Sequence, residues 1–471
     1  MKQTNLVVFI LLGSIILMSM LFLKPVRRGD GNEYFLMLES LSNHLSPDLR
    51  QRDINNSYIG GINAFGETAD PYWGYFQGRD NKWYSKHFWA YSLSCVPVRT
   101  ILKLFGLDVV KSFQITNALL FILMLLVINF FSKLEEGQKL FFMLLLTFSP
   151  ALWFIPWTHP EIFILSFVTL SLVFLTIKKY GWAILSAGLA SFQNQALVLF
   201  VLFLLIKATW SSKDKVNTSI KYGTMSSLIF LPNIFYLLSF GTFHPLNAAA
   251  SLKNISAFRV FELFFDLNIG LLPYLPLSLL LFLGIVLFQS YQHKGFVFEL
   301  QIFLLIIALD MICSATDNWN HGTSGPSRYA IYMLPFLSFV LVINLQSFWK
   351  SIVSKGLLLT AVFLQLSIVA SNGFFIHEED YLKHSSAARF VLKRFPVLYN
   401  PSFEIFCERT QNSESDCGNP TIFRKNKECK KALLTCEGLP ALQSLCNNTD
   451  KRLEDLCKTK TKKDQWFYVN Y

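Results

Sequence analysis

The chain has 471 residues, of which 52% are hydrophobic and only 15% are charged, and its mean hydropathy is +0.39. About a quarter of the residues in a soluble globular protein are charged, so this composition argues against a soluble fold. The formal net charge is +11. Most of the cations lie in short segments between apolar runs, which indicates membrane topology and argues against a nucleic-acid partner.

The apolar residues form runs of about 18 to 22 residues, long enough to cross roughly 30 Å of hydrocarbon as a helix. Because backbone groups in lipid must be hydrogen-bonded internally, the runs predict an all-α polytopic membrane protein with about eleven transmembrane helices. Three consecutive amides, 193–195, interrupt one run, so two short helices are predicted there. The predicted spans are 5–23, 111–132, 139–156, 161–177, 182–206 (two helices), 221–240, 271–288, 298–316, 329–348 and 356–374.

The distribution of lysine and arginine predicts how these helices are oriented in the lipid bilayer. With a cytoplasmic N-terminus, twelve lysines lie in inside segments and only three cations lie in the short outside loops. One local feature disagrees with this orientation, because three cations follow the first span on the outside, namely Lys24, Arg27 and Arg28. No small-x-small cleavage site follows residues 1–23, so this run is interpreted as a retained first helix.

The first outer segment, residues 24–110, is rich in charged and aromatic residues. Within it, the stretch 33–44 has apolar residues at three-to-four spacing, which predicts a helix. The stretch 87–105 is apolar but carries Arg99 and Lys103. Both stretches are typical of interfacial helices whose apolar faces enter the lipid. The stretch 87–105 could instead be a twelfth transmembrane span. That would place every later loop on the opposite side of the membrane, and the lysine distribution argues against it.

Residues 1–375 therefore form the predicted transmembrane domain. Residues 376–471 form a second, polar domain, called here the cysteine-rich domain, and the odd number of preceding spans places it outside. Because no C-x-x-C pair occurs there, zinc spacing is absent. An even number of cysteines in an oxidising compartment predicts three disulfides, for which 15 pairings exist. Reduced cysteines in a cytosolic tail are the alternative. The six cysteines are Cys407, Cys417, Cys429, Cys436, Cys446 and Cys457.

The first outer segment opens with an acidic residue at the predicted membrane edge. Asp30 lies between two glycines, so the backbone can turn tightly around it. Glu33 follows in the first turn of the next helix, where the helix dipole favours a negative charge. The alternative is purely structural, with Asp30 or Asn32 capping that helix for about 1 kcal/mol.

Further polar residues lie on the same predicted face of the membrane. Asp310 lies inside the ninth predicted span near that face, and acids within a membrane usually face a cavity or a pathway. The polar residues together predict an outward-facing site that is covered by the first outer segment. They are Tyr84, Lys86, His87, His159, Glu161, Asp266 and Arg328.

These segments together resemble the GT-C class of membrane glycosyltransferases, specifically the bacterial relatives of protein mannosyltransferases and lipid A aminoarabinose transferases. The resemblance covers roughly residues 5–375, and the cysteine-rich domain has no counterpart in it. Its landmarks, in chain order, are Gly29-Asp30-Gly31-Asn32-Glu33-Tyr34, Trp83-Tyr84-Ser85-Lys86-His87-Phe88, Ser149-Pro150, Thr158-His159-Pro160-Glu161, Phe265-Asp266, Gly270-Leu271-Leu272-Pro273-Tyr274-Leu275-Pro276 and Gly325-Pro326-Ser327-Arg328-Tyr329.

The resemblance implies an inverting transfer of a sugar from a polyprenyl-phosphate donor to an envelope or secreted acceptor, on the outer face of a bacterial inner membrane. It would make Asp30 the catalytic base, with Glu33 as an accompanying acid. Cations would stabilise the departing phosphate. Many relatives have adjacent acids where Asp30 and Glu33 are three residues apart. The residues assigned to substrate and phosphate are Arg27, Arg28, Tyr84, Lys86, His87 and Arg328.

The acids also allow a divalent metal ion, because carboxylate oxygens and an imidazole nitrogen are suitable ligands. The candidate metal ligands are Glu33, His159 and Glu161. A second acidic site is predicted from His159, Glu161 and Asp266. Two other functions remain open. A transporter or lipid flippase would usually have internally repeated halves, which are not evident here. A catalytically inactive relative would act as a scaffold through its polar domain.

Overall fold

The computed structural model describes residues 2–27, 29–56, 70, 72–244, 251–293, 297–316, 319–320, 325–344, 352–377, 381–414, 416–446, 453–455, 457 and 465–471. The described chain is mostly helical, as its apolar runs predict. Two small antiparallel sheets accompany the helices. The larger sheet belongs to the cysteine-rich domain, and the smaller one is a hairpin in the first outer segment.

The helices and strands follow one another along the chain with these bounds. The helices are α1 (Lys2–Phe22), α2 (Gly31–His44), α3 (Gln51–Asn56), α4 (Ala90–Leu104), α5 (Lys111–Phe131), α6 (Glu136–Thr147), α7 (Glu161–Thr176), α8 (Tyr180–Ser191), α9 (Val198–Ser211), α10 (Lys215–Ser226), α11 (Leu231–Phe240), α12 (Ala257–Phe265), α13 (Pro276–His293), α14 (Phe298–Cys313), α15 (Arg328–Ile331), α16 (Leu334–Ile343), α17 (Ile352–Ser371), α18 (Ser386–Arg394), α19 (Phe403–Gln411) and α20 (Leu439–Cys446). The strands are β1 (Tyr75–Gln77), β2 (Trp83–Ser85), β3 (Thr421–Lys425), β4 (Glu428–Leu434) and β5 (Phe467–Asn470).

Several helices are long and apolar enough to cross a bilayer. Four described helical segments meet both requirements, and α10 and α11 count as one of them because a 3-10 turn joins them. Shorter apolar helices accompany them. These helices are consistent with a membrane protein, whereas the number of eleven spans stays a prediction. The four segments are Gln3–Phe22, Lys111–Phe131, Lys215–Phe240 and Pro276–His293.

The helix breaks follow from local polar chemistry. The predicted break at 193–195 is present, because α8 ends at Ser191 and α9 begins at Val198. The side chain of Gln193 donates to the carbonyl of Phe88 at 2.9 Å. The break therefore gives this amide a hydrogen-bond partner. The predicted span 139–156 is wrong as a single helix. Its helix α6 has 12 residues, about 18 Å, and ends before a 3-10 turn at Pro150–Phe154.

The two helices predicted in the first outer segment are α2 and α4, and they pack against each other. Arg99 of α4 forms two bonds with the carboxylate of Glu39 in α2, at 2.8 and 2.5 Å, and both side chains are buried. Most residues of α2 are buried, so this helix lies within the protein and does not insert one apolar face into lipid as predicted. The outer face of α4 does expose Leu93 and Ile101.

The hairpin of β1 and β2 lies against the N-terminal half of α2. Tyr75 pairs with Ser85 across the hairpin, and the Tyr75 hydroxyl donates to the backbone oxygen of Glu33 at 3.0 Å. Leu49 forms an additional bridge to Trp83 on the other edge of β2. The hairpin therefore fixes the residues that follow β2 next to the beginning of α2.

The cysteine-rich domain consists of α18 to α20 and a three-stranded antiparallel sheet in the order β3-β4-β5. All six of its cysteines form disulfides, as predicted, and the free cysteines Cys95 and Cys313 are buried apolar residues elsewhere. The sheet and α20 enclose a small apolar core around Leu434 and Leu442. The disulfides are Cys407–Cys417, Cys429–Cys446 and Cys436–Cys457.

This domain is attached to the loop that follows α12. The Tyr399 hydroxyl donates to the carboxylate of Asp266 at 2.7 Å and accepts from the amide of Asn268 at 2.5 Å. The backbone nitrogen of Ser385 donates to the Asn268 side-chain oxygen at 2.9 Å. Asp266 also accepts from backbone nitrogens of its own turn. Its carboxylate is therefore used to join the two domains.

The buried ion pair between α2 and α4 leads to a test of how the first outer segment is held. Replacing Arg99 by Leu leaves the Glu39 carboxylate buried without its partner, and we expect a loss of about 3–5 kcal/mol in stability. Replacing both Arg99 and Glu39 by Leu should recover most of that loss. Thermal unfolding of the full chain in detergent measures both effects. Equal losses in the single and double variants would contradict this account.

Candidate functional site

Two loops meet where α2 begins. A short parallel bridge joins Val26 to Trp157, and the backbone nitrogen of Thr158 donates to the carbonyl of Val26 at 2.9 Å. From α5, the amide of Asn117 donates to the carbonyls of Ile155 and Trp157 at 3.1 and 2.9 Å. The loop before α2 and the loop before α7 are thereby fixed side by side. Their acids, which are far apart in sequence, face the same space.

Asp30 is the residue around which three cationic or imidazole side chains converge. One of its carboxylate oxygens lies 3.0 Å from Nζ of Lys86, and the other lies 3.3 Å from Nε2 of His87 and 3.5 Å from Nη1 of Arg328. Asp30 occupies the N-cap position of α2 but its side chain makes no capping hydrogen bond. The capping role considered from the sequence is therefore not what holds this carboxylate.

The charges around Asp30 determine its ionisation. Burial alone would raise the pKa of the Asp30 carboxyl, but His87, Lys86 and Arg328 outweigh it and hold the pKa well below its usual value. Asp30 is therefore negatively charged at neutral pH. A carboxylate in this state attracts cations and accepts hydrogen bonds, but it is a weak base until its cationic neighbours move away.

Glu33 lies one turn further along α2 and is fully buried. Its carboxylate lies 3.1 Å from Nζ of Lys86 and accepts a hydrogen bond from the Ser85 hydroxyl at 3.1 Å. Burial, with the negative charge of Asp30 adding to it, raises the pKa of Glu33 to about 7. Lys86 therefore lies between two carboxylates whose environments move their pKa values in opposite directions.

The close packing around Glu33 depends on a glycine that the sequence did not single out. Gly74 has a φ of 82°, and a Cβ there would come within 2.0 Å of the Glu33 carboxyl group. The neighbouring Trp73 ring lies 4.7 Å from Nζ of Lys86. An aromatic face stabilises an ammonium group electrostatically. Gly74 and Trp73 thus help to position the lysine that joins both acids.

A second group of side chains comes from the loop before α7, from the first residue of α7 and from the residue that follows α15. The ring of His159 stacks on Trp157 at 3.7 Å, and its Nδ1 lies 3.9 Å from the Glu161 carboxylate. Tyr332 donates to the same carboxylate at 3.4 Å. The Tyr34 ring connects the two groups, because it stacks on His87 at 4.9 Å and meets His159 edge-on at 5.4 Å.

Members of both groups line one cavity of about 460 Å³, a volume typical of sites for small molecules. Glu33 is not among the lining residues and lies buried behind Lys86. The interrupted run between α8 and α9 contributes its three amides to the wall, and aromatic and aliphatic side chains complete it. The cavity can therefore contact both charged and apolar parts of a ligand. Its lining residues include Asp30, Tyr34, Lys86, His87, Phe88, His159, Glu161, Phe192, Gln193, Asn194, Gln195, Tyr236, His244, Ile312, Thr316, Arg328 and Tyr332.

Three residues predicted for the site point elsewhere. The Tyr84 hydroxyl donates to Asp80 at 2.9 Å, because neighbouring residues of a strand face opposite sides and Ser85 takes the side of Glu33. The Arg27 side chain donates to Asn32 and is absent from the described cavity wall. Asp266 holds the cysteine-rich domain, as described above. Arg28 lies outside the described residues.

The metal ligands predicted from the sequence do not form one group in the described chain. His159 and Glu161 are neighbours, whereas Glu33 lies with Asp30 and His87, and ligand atoms of these three residues lie within 4.8 Å of one another. Two carboxylates and an imidazole suit a divalent ion. However, Nζ of Lys86 already lies within 3.1 Å of both carboxylates. A metal ion would have to displace this ammonium group, so the set fits a metal poorly.

Sequence reasoning missed several residues of the cavity wall. Tyr236, His244 and Tyr332 were not singled out, and nothing in their local sequence distinguishes them from packing residues. The three amides at 193–195 line the cavity in addition to interrupting the helix. Amides inside an apolar run are themselves a signal of a polar pathway, so the sequence does indicate this part of the wall.

Comparison with family models, curated proteins and solved structures finds no match to this chain.

The raised pKa of Glu33 predicts how stability depends on pH. The Glu33 carboxyl has a pKa of about 7 in the folded chain, whereas the ordinary value of a glutamic acid is about 4.5. The folded state therefore holds this proton more tightly than the unfolded state does. The resulting contribution to stability is lost as the pH rises from about 4.5 to about 7. We expect the wild type to lose more stability between pH 5 and pH 8 than a Glu33→Gln variant. Thermal unfolding in detergent across this range measures the difference. The exposed Glu437→Gln variant is the control, and parallel profiles for Glu33→Gln and wild type would contradict the prediction.

Proposed function

We propose that the chain is a membrane glycosyltransferase that transfers a sugar from a polyprenyl-phosphate donor to a hydroxyl acceptor, with inversion at the anomeric carbon. The observation that carries the proposal is the Asp30 carboxylate in the cavity wall, surrounded by Lys86, His87 and Arg328. A phosphate needs cations, and a hydroxyl nucleophile needs an acceptor for its proton. This cavity offers both within one group of contacts.

In this proposal the donor phosphate competes with Asp30 for Lys86 and Arg328. Without a donor, both cations contact Asp30, at 3.0 and 3.5 Å. A bound phosphate would draw them away, because a guanidinium or ammonium group forms strong charge-assisted hydrogen bonds with phosphate. Asp30 would then regain proton affinity when the acceptor is present. Binding of the donor thus prepares the base.

The reaction itself follows directly. The acceptor oxygen forms a bond to the anomeric carbon of the sugar, while the bond between that carbon and the phosphate oxygen breaks. The phosphate keeps the bonding electrons, and its charge is stabilised by Lys86 and Arg328. Asp30 accepts the hydroxyl proton. Nε2 of His87 lies 3.3 Å from the carboxylate that takes this proton.

Replacing Asp30 by Asn tests the proposal. The amide keeps the shape of the side chain but cannot accept the hydroxyl proton, so we expect transfer from a radiolabelled polyprenyl-phosphate hexose or pentose to fall by about 10²–10⁴-fold. The assay uses the full chain in proteoliposomes. Thermal unfolding of the variant establishes that it is folded.

Asp70→Asn is the matched control, because Asp70 is an exposed acid of the same segment, and its carboxylate accepts a hydrogen bond from the backbone nitrogen of Tyr72 at 2.9 Å. Transfer should be unchanged in this variant. Equal transfer by Asp30→Asn and wild type would rule out Asp30 as the base. Movement of the lipid-linked sugar across the liposome bilayer without transfer would identify a flippase instead.

The proposal also assigns the site and the cysteine-rich domain to the face of a bacterial inner membrane that is opposite the cytoplasm. Three disulfides support this, because such bonds persist in oxidising compartments. Contacts of the domain support it as well. Nη2 of Arg259 in α12 lies 2.5 Å from the carboxylate of Glu404 in the cysteine-rich domain. This contact supports a location of α12 and the domain on the same side of the membrane.

Cysteine labelling tests this sidedness. Lys82 is half-exposed in the hairpin, and Lys213 is exposed between α9 and α10. In intact cells a membrane-impermeant maleimide should modify a Lys82→Cys variant, whereas a Lys213→Cys variant should react only after lysis. The native thiols of Cys95 and Cys313 are buried and give a low background. The reverse labelling pattern would reverse the proposed orientation.

A further inference from the structure

The cysteine-rich domain contains a second cavity, of about 370 Å³, which shares no residue with the cavity around Asp30. It lies between the loop before α18, the end of α19 and strand β3. Four of its eight lining residues are lysine or arginine, and none of these eight is acidic. The lining residues are Lys383, His384, Arg389, Arg409, Thr410, Ile422, Phe423 and Arg424.

Arg409 brings a buried positive charge to this cavity. Its side chain is 7% exposed, and it contacts the Glu408 carboxylate and the Asn320 carbonyl, each at 3.4 Å. Both distances are long for hydrogen bonds to a guanidinium group, which normally measure about 2.7–2.9 Å to a carboxylate. These contacts compensate the buried charge only in part, and the buried Asp266 carboxylate adds a Coulombic attraction. Clustered cations repel one another unless an anion lies between them.

His384 adds a buried polar atom to the same cavity. Its side chain is 4% exposed, and Nε2 lies 3.0 Å from the Thr410 hydroxyl, while Nδ1 is buried and makes no hydrogen bond with the described residues. Burial, together with the charges of Arg409 and Arg389, lowers the pKa of His384 to about 3. The ring is thus neutral. With its proton on Nδ1 the ring accepts at Nε2 from the Thr410 hydroxyl.

We infer that this cavity binds the phosphate group of a small molecule or a lipid headgroup. Arginine side chains bind phosphate through paired hydrogen bonds, and the ammonium group of Lys383 adds a further positive charge at the wall. The volume exceeds what a bare phosphate needs, and Phe423 and Ile422 form an apolar wall. The ligand therefore carries an uncharged portion next to its phosphate.

The test uses the full chain in detergent with a Lys383→Gln/Arg424→Gln double variant. Both side chains are exposed, so the fold should tolerate the change. Calorimetric titration with glucose 6-phosphate measures binding from solution at constant ionic strength, because free ions screen these charges. We expect the double variant to bind at least about tenfold more weakly, because it loses two charged groups that donate hydrogen bonds to the phosphate.

A second arm separates a headgroup from a soluble phosphate. The protein is reconstituted in nanodiscs of phosphatidylglycerol or of phosphatidylcholine, and native mass spectrometry counts the lipids that it retains. Weakened binding of glucose 6-phosphate in the double variant supports a soluble ligand. Phosphatidylglycerol retained by the wild type but lost by the double variant supports a headgroup.

A matched control removes two other positive charges from the same domain. Lys393 and Lys425 are exposed and do not line the cavity. A Lys393→Gln/Lys425→Gln variant has the same net charge as the test variant, and we expect its affinity to change less than about threefold. Equal losses in both double variants would show a general charge effect and overturn the inference. Equal binding by the wild type and the test variant in both arms would overturn it as well.

Discussion

Compensation of buried charge is the constraint on which the rest of this structure depends. Asp30 and Glu33 leave water for the protein interior, where an unpaired carboxylate would cost several kcal/mol. A single ammonium group, that of Lys86, lies within 3.1 Å of both. The helix that carries the acids, the hairpin that carries the lysine and the short helix that carries Arg328 must therefore meet at one place. The cavity is the space left where they meet.

The cysteine-rich domain takes part in this arrangement through the segment before Arg328. Glu404 of the domain accepts from the Trp319 indole at 2.8 Å, and Ser327 in turn donates to the Trp319 carbonyl at 3.2 Å. The backbone nitrogen of Ser327 is also held by the Ile269 carbonyl at 2.8 Å. The domain thus fixes the residues that deliver Arg328 to Asp30. The cysteine-rich domain thereby has a direct structural connection to the site.

Two acids one helical turn apart have different properties because their surroundings differ. Asp30 faces three partners and stays ionised, whereas Glu33 is fully enclosed and its pKa rises to about 7. Environments that separate the pKa values of neighbouring acids are common at sites of proton transfer. Lys86 provides next to both acids the positive charge that a metal ion would otherwise supply.

The sequence by itself determined the apolar helices consistent with a membrane protein, the helices α2 and α4 and the break at 193–195. It also determined that all six cysteines of the cysteine-rich domain form disulfides, because each of these features depends on local periodicity or composition. Only the tertiary structure decided which cysteines pair, that Asp266 joins two domains, and that Tyr84 turns away from the site. The direction of a side chain and the choice among distant partners depend on packing between elements far apart in the chain. Sequence spacing does not contain that information.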